Sequence, residues 1–148
     1  MLASASWDNT IRLWHVISGD SAGVLNGHES PVNSVVYSTD GKTLASASAE
    51  KTVKLWDVAT RRNTATLNHS SCVYCVAFSV DGAILASGSR RSIRLLNPRS
   101  GANINTFGRD ASWIDSLAIS PDGRTVASTA DVSNTILVWD IGGVGGAR

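Results

Sequence analysis

Two cysteines three positions apart are the first residues whose types and spacing could support chemistry. Cys72 and Cys75 form the pattern Cys-Val-Tyr-Cys, which begins three residues after His69. Paired thiols at this spacing serve as a redox couple when they open a helix beside a strand, and they bind metal when further ligands are close. Here the pair lies in a strand-like run, in which residues three apart point to opposite faces. We therefore expect two ordinary strand cysteines, with no metal and no cofactor.

A second group of residues could bind phosphate or nucleic acid through positive charge. It comprises six arginines in two parts of the sequence, Arg61, Arg62, Arg90, Arg91, Arg94 and Arg99. The whole chain carries 13 Lys and Arg against 12 Asp and Glu, a net charge of +1, so composition does not favour a nucleic-acid partner. We expect these side chains to form a solvated rim.

The composition is that of an ordinary water-soluble protein. The 148 residues are 43% hydrophobic and 17% charged, and no apolar run approaches the length of a membrane span. The N-terminal residues do not have the layout of a signal peptide, and two cysteines do not make a disulfide framework. These features predict a cytoplasmic protein, with the nucleus as an alternative.

The elements that must position any site come from an internal repeat. The run Leu-Ala-Ser-Ala-Ser begins at residues 2 and 44, Leu-Ala-Ser-Gly-Ser begins at residue 85, and Val-Ala-Ser-Thr begins at residue 126. The spacing is therefore 41 or 42 residues. A fixed period of this length indicates an array of structural repeats, each of which cannot bury its own apolar face.

Each period predicts short β-strands. An Asp-Gly turn separates two apolar runs at residues 40–41, 81–82 and 122–123, which is a strong hairpin signal. Alternating runs of β-branched, charged and large apolar residues follow at 10–15, 52–57, 92–97 and 135–140. No stretch has helical periodicity over ten residues or more. The sequence predicts an all-β chain with four short strands in each period.

These marks resemble the WD-repeat family of β-propellers. Gly27-His28, the Asp-Gly turns, the Leu-Ala-Ser runs and Trp56-Asp57 recur in the family's order, and the resemblance extends from Leu2 to Ile141. It implies blades that are four-stranded antiparallel sheets. We predict a partial blade at 1–27, blades at 28–68 and 69–108, a partial blade at 109–141, and a flexible Gly-rich tail at 142–148.

The predicted strands do not close a ring, because the four successive blades would hold three, four, four and three of them. Three explanations are open. The favoured one is that the chain is a fragment of a larger propeller. Alternatively, two or more copies associate to complete a ring, or the chain forms a small, strained ring of four blades.

The resemblance also implies a hydrogen-bonded tetrad in each blade, made of a histidine, a serine or threonine, an aspartate and a tryptophan. In the second blade these are His28, either Ser46 or Ser48, Glu50 in place of aspartate, and Trp56. The other blades keep parts of the set, namely Asp8 and Trp14 in the first, His69 and Ser87 in the third, and Ser128, Trp139 and Asp131 in the fourth. Leu96 replaces tryptophan in the third blade, and Arg109 replaces histidine in the fourth.

A carboxylate, an imidazole and a hydroxyl in this order resemble a nucleophilic triad, so a Ser-His-acid hydrolase is one hypothesis. The sequence contains no oxyanion-hole loop or substrate-positioning motif to accompany the three groups. We therefore predict that the tetrad is a buried polar network that locks strands together, and that the protein is not an enzyme.

The resemblance implies that three positions of each blade project onto one face of the disc. We predict that this face binds partner proteins through residues of the types enriched in interface hot spots and their neighbours, Trp7, Asn33, Tyr74, Arg90, Trp113 and Asp115. An alternative is that each aromatic side chain covers a neighbouring blade. The predicted function is a protein–protein interaction scaffold, and the alternative is a regulatory sensor segment of a larger signalling ATPase.

Overall fold

The computed structural model describes residues 1–130 and 135–143, except for the side chains of 109–112 and 130. In these residues all regular structure is β. The strands are β1 (Leu2–Ala5), β2 (Ile11–Trp14), β3 (Ser21–Leu25), β4 (Val32–Tyr37), β5 (Thr43–Ser48), β6 (Thr52–Asp57), β7 (Asn63–Asn68), β8 (Val73–Phe78), β9 (Leu85–Leu96), β10 (Asn103–Trp113), β11 (Leu117–Ile119), β12 (Thr125–Ala130) and β13 (Thr135–Asp140).

The strands form four antiparallel sheets, each built from strands that follow one another in the sequence. The orders are β1-β2-β3 in the first sheet, β4-β5-β6-β7 in the second, β10-β9-β8 in the third and β11-β12-β13 in the fourth. This architecture confirms the predicted all-β fold of propeller-type blades, and the sheets do not close into a ring.

The third sheet differs from its predicted four strands, because β9 combines two of them. The hydroxyl of Ser87 lies 3.4 Å from the carbonyl oxygen of Arg94, and that of Ser89 lies 3.1 Å from the carbonyl oxygen of Ser92. Seven residues of straight strand would cover about 23 Å, so β9 must fold back on itself. It does so next to Arg91, whose φ of 76° lies in the left-handed region. The hairpin is so tight that no loop separates its halves.

The start of the fourth sheet also differs from the prediction. In the partial blade predicted at 109–141, the first strand of the sheet is limited to Leu117–Ile119. Upstream of it, β10 crosses the predicted blade boundary at residue 109 and continues to Trp113, which pairs with Arg90 of β9 after a shift in register. The third sheet therefore includes Trp113, which lies in the segment predicted for the fourth blade.

The Asp-Gly turns have a common local structure that explains their recurrence. Gly41, Gly82 and Gly123 have φ values of 69°, 69° and 68°, a region that favours glycine. In the first of these turns the hydroxyl of Ser38 donates to the carboxylate of Asp40 over 2.6 Å, and the same bond recurs in the other two. The turn is thereby stabilised by a bond between residues two positions apart.

The core consists of three apolar clusters, each made by the facing sides of two successive sheets. The first cluster joins the first and second sheets, the second joins the second and third, and the third joins the third and fourth. Direct bonds add to this packing: the amide of Val32 donates to the carbonyl of Ser6 over 3.0 Å. Each sheet is thus held mainly by its neighbours in the sequence. In the described part of the chain no helix is long and apolar enough to cross a membrane.

Candidate functional site

The structure brings together a polar chain of four residues in the second sheet. His28 lies just before β4, Ser46 in β5, Glu50 in the turn after it and Trp56 in β6. The Nδ1 atom of His28 lies 2.7 Å from the Glu50 carboxylate, and its Nε2 atom lies 2.7 Å from the Ser46 hydroxyl. The indole of Trp56 donates to the same hydroxyl over 2.8 Å. Each of these four side chains comes from a different segment of the second sheet or its loops.

The directions of these bonds follow from the neutral state of the imidazole. Burial lowers the pKa of His28 although Glu50 opposes the change. The neutral ring donates from Nδ1 to Glu50 and accepts at Nε2 from the hydroxyl of Ser46, which in turn accepts from Trp56. Every polar side-chain group of these four residues then has a hydrogen-bond partner, as a buried network requires.

The geometry selects Ser46 over Ser48 as the serine of the tetrad. The hydroxyl of Ser48 is bonded elsewhere, at 3.1 Å from the carbonyl oxygen of Ser30 and 3.0 Å from that of Pro31. Ser48 therefore ties the loop before β4 to the end of β5, while Ser46 holds the histidine and the tryptophan.

Glu50 reaches the histidine despite being longer than the aspartate that the resemblance implies. Its carboxylate also accepts from the hydroxyl of Thr52 over 2.6 Å and from the amide of Glu29. Burial opposes ionisation of Glu50, but the bonds from Thr52, Glu29 and His28 outweigh it and lower its pKa to about 2. Sequence reasoning missed Thr52, although it stands two residues after Glu50 as Thr10 stands two residues after Asp8.

The third sheet contains only half of the tetrad. The Nε2 atom of His69 lies 2.8 Å from the hydroxyl of Ser87, and its Nδ1 atom donates to the carbonyl of Leu67 over 3.2 Å in place of a carboxylate. Leu96 occupies the tryptophan position and is fully buried. A backbone carbonyl thus takes the place of the carboxylate as the hydrogen-bond partner of Nδ1.

The first and fourth sheets retain the pair of serine and tryptophan. The indole of Trp14 donates to Ser4 over 2.9 Å, and that of Trp139 donates to Ser128 over 3.2 Å. The repeat spacing aligns Ser4 with Ser46, and this alignment is the sequence signal for its role. The carboxylate of Asp8 accepts bonds from residues close in sequence, Thr10 and, in β2, Arg12. Asp131 and the side chain of Arg109 lie outside the described residues.

The arrangement of Glu50, His28 and Ser46 is that of a nucleophilic triad, but the hydroxyl is closed to a substrate. Ser46 is fully buried, and its oxygen already accepts the indole proton of Trp56. A nucleophile must approach a carbonyl carbon directly, which this packing prevents. The chemistry that the four residues can perform is mutual hydrogen bonding.

The two cysteines point away from each other. The sulfur of Cys72 lies 3.2 Å from the carbonyl oxygen of Ala49, and that of Cys75 lies 3.3 Å from the carbonyl oxygen of Ile114. Burial raises the pKa of Cys75 to about 12, so the group remains a thiol near neutral pH. No cluster of metal-ligating side chains occurs among residues 1–130 and 135–143 whose side chains are described.

An aromatic and cationic cluster lies where the sequence predicts the binding face. The rings of Tyr74 and Trp113 are stacked, with centroids 5.7 Å apart and planes 10° apart. The guanidinium carbon of Arg90 lies 5.8 Å from the centre of the Trp113 ring. Trp113 nevertheless remains 44% exposed. The three side chains present a flat apolar surface with a positive charge beside it.

The other predicted face residues have different environments. Trp7 is 83% exposed, so its ring does not serve to cover a neighbouring sheet. Asn33 is turned inward, and its amide donates to the carbonyl oxygen of Val73 over 2.8 Å, which links the second and third sheets. Asp115 is exposed. The structure therefore joins Tyr74 and Trp113 with Arg90 in one cluster and gives Asn33 a contact between sheets.

The sheets, their spacing and the recurring hydrogen bonds define a class of repeat proteins, and comparison with known families identifies it. The family model described as "WD domain, G-beta repeat" matches residues 1–15, 19–57, 61–97 and 101–140. The chain belongs to the WD-repeat family.

The relatives include proteins from fungi and from a plant. The chain is 30% identical to the nuclear distribution protein nudF of Aspergillus niger, over 95% of the chain and 37% of that protein. It is 35% identical to the nuclear distribution protein PAC1 of Coccidioides posadasii, over 95% and 34%, and 30% identical to the small ribosomal subunit protein RACK1y of Oryza sativa, over 98% and 45%. The chain thus spans about a third to a half of the length of these relatives.

Proposed function

We propose that the chain is a non-enzymatic protein–protein interaction scaffold. Partner proteins would bind the predicted face, which comprises Trp7, Asn33, Tyr74, Arg90, Trp113 and Asp115. The observation that carries the proposal is the stack of Tyr74 and Trp113 with Arg90 above it, which leaves Trp113 44% exposed. Tryptophan, tyrosine and arginine are the residue types that contribute most to binding at interfaces.

The role proposed for the tetrad is to keep this face rigid. The bonds from Trp56 and His28 to Ser46 tie β6 and the loop before β4 to β5. Ser48 holds the same loop through Pro31, which opens the inner strand of the second sheet. A binding surface that is fixed before the encounter loses less conformational entropy when a partner arrives. In this proposal the triad-like constellation serves these bonds and not catalysis.

The relatives support a scaffold without defining its partner. Two of them are named for nuclear distribution and one for the small ribosomal subunit, so similar repeats serve in different assemblies. We therefore identify the partner by chemistry, as a segment that places an apolar or aromatic side chain on Trp113 and a carboxylate beside Arg90. The cytoplasmic location remains a prediction from the sequence.

Selection from a displayed peptide library tests the proposal. Peptides are selected on the immobilised wild-type chain alone. The affinities of the selected peptides are then measured by calorimetry for wild type, for Trp113→Ala and for a Val80→Ala control. Val80 is 56% exposed and follows β8, at the opposite end of that strand from Tyr74.

We expect the selected peptides to lose at least about tenfold in affinity with Trp113→Ala, which corresponds to about 1.4 kcal/mol. Val80→Ala should leave the affinity unchanged. Arg90→Ala should weaken acidic peptides more than neutral ones. If no peptide is selected, or if peptides bind Trp113→Ala and wild type equally well, the proposed face is wrong.

A further inference from the structure

Each sheet carries two apolar pairs, one on each face, through which it contacts its neighbours. We call the pair on the side of the following sheet the forward pair. The forward pairs are Ile11 and Leu13, Val53 and Leu55, Ile93 and Leu95, and Ile136 and Val138. The pair on the side of the preceding sheet is the rear pair. The rear pairs are Leu2 and Trp14, Leu44 and Trp56, Leu85 and Leu96, and Val126 and Trp139.

The strand register shows that the pairs are equivalent from sheet to sheet. In the second sheet the forward residues Val53 and Leu55 lie opposite alanines, and in the fourth sheet Val138 lies opposite Ala127. The members of a rear pair lie opposite each other, as in Leu2 with Trp14. The same residue types at the same register positions therefore form the same surface in each sheet.

Three contacts inside the chain use three forward pairs and three rear pairs. The pair of Ile11 and Leu13 packs on Leu44 and Trp56, and the two forward residues are fully buried. The forward pair of the second sheet packs in the same way on the rear pair of the third, and that of the third sheet packs on the rear pair of the fourth. A forward pair and a rear pair are thus complementary surfaces.

The remaining two pairs are exposed. Ile136 and Val138 are 72% and 69% exposed, whereas the other forward residues are at most 2% exposed. At the other end Leu2 is 58% exposed, and Trp14 is partly exposed. The molecule therefore presents one free forward pair and one free rear pair, which are the two halves of the contact that it makes three times internally.

We propose that the free forward pair of one copy binds the free rear pair of a second copy. The two surfaces lie at opposite ends of the chain of sheets, so the contact is head-to-tail and can continue into a ring or a filament. Internal contacts use an additional residue on the inner strand of the following sheet, such as Val32. The described first sheet has three strands and no counterpart of that residue. We therefore expect association that depends on concentration in the micromolar range.

Sedimentation velocity of the 148-residue chain, from about 1 to about 200 µM, tests the proposal. Two single variants each disable one surface. Val138→Lys removes the forward surface, and Leu2→Asp removes the rear surface. Val80→Lys is the matched control, because it places a charge at an exposed apolar position away from both ends. Thermal melts of each variant establish that it is folded.

The wild type and the Val80→Lys control should form larger species as concentration rises. Each end variant should remain monomeric, with a dissociation constant raised at least about tenfold. An equimolar mixture of Val138→Lys and Leu2→Asp should form a dimer and nothing larger, because each variant retains the surface that the other lacks.

Two results would overturn the proposal. A wild-type chain that stays monomeric at the highest concentration would mean that a second copy does not cover these surfaces. Association that Val138→Lys abolishes and Leu2→Asp leaves intact would mean a symmetric contact between two forward pairs.

Discussion

Acidification should destabilise the protein through His69, a histidine that folding buries in its neutral form. Its Nδ1 atom donates to the carbonyl of Leu67, and its Nε2 atom accepts from Ser87. A second proton would sit on Nε2 in a buried site. Burial lowers the pKa of His69 from 6.5 to about 4, and the charge of Arg94 adds to the effect.

The size of the effect follows from linkage between protonation and folding. The unfolded chain binds the proton below pH 6.5 and the folded chain only below about pH 4, so stability falls as pH falls through this window. From pH 7.5 to pH 5 the loss is about 2 kcal/mol, and it approaches about 3 kcal/mol below pH 4. The lowered pKa of His28 contributes with the same sign.

Urea denaturation at several pH values between 7.5 and 5 measures this loss. A His69→Gln variant should be less stable at pH 7.5 but should lose about 2 kcal/mol less than wild type on acidification. His15→Gln, at an exposed position, is the matched control and should follow the wild type. The lower limit of pH 5 avoids the titration of Glu50 in the unfolded chain, at 4.5. If wild type and His69→Gln lose equal stability across this range, the reasoning is refuted.

Three further predictions concern packing and thiol chemistry. Trp56→Ala should lower the free energy of unfolding, measured by urea denaturation, by about 3–5 kcal/mol because Trp56 is buried and donates a hydrogen bond to Ser46. The control Trp7→Ala should change it by less than about 0.5 kcal/mol. A loss below about 1 kcal/mol for Trp56→Ala would contradict its core position. Gly88→Ala should cost about 1–3 kcal/mol, since the added methyl would overlap the sulfur of Cys75, and an unchanged denaturation midpoint would refute that contact. Cys75, whose pKa burial raises to about 12, should react with a thiol reagent only at the rate of unfolding, and fast labelling in native buffer would show that the site opens.

The sequence predicts most of the fold because its strongest signals are local. Each Asp-Gly turn closes a hairpin through bonds within five residues, such as that from Ser38 to Asp40, so strand pairing follows from short segments. The repeat spacing then places equivalent strands in every sheet. The expectation fails at the start of the fourth sheet, where Trp113 pairs with Arg90 of the third sheet. That pairing joins residues far apart in the sequence, so no local sequence pattern predicts it.

The residues of the candidate site could be predicted from the sequence, but their hydrogen-bond partners could not. Ser46 and Ser48 lie two residues apart on one side of β5, so alternation along the strand does not distinguish them. The choice depends on where the loop that carries His28 meets the sheet, which is a tertiary property. Likewise, Glu50 reaches the imidazole because Thr52 and the amide of Glu29 hold its carboxylate in place. The sequence could not reveal whether one additional methylene would be accommodated.

Packing between consecutive sheets also determines the order in which the protein can fold during synthesis. Among the residues that the structure describes, the cluster between the first and second sheets reaches no further than Val58, the next no further than Leu96, and the last no further than Ile141. Each cluster can therefore be completed as soon as the following sheet leaves the ribosome, before the rest of the chain exists. A nascent chain would expose one unfinished apolar face at a time, on the sheet made most recently.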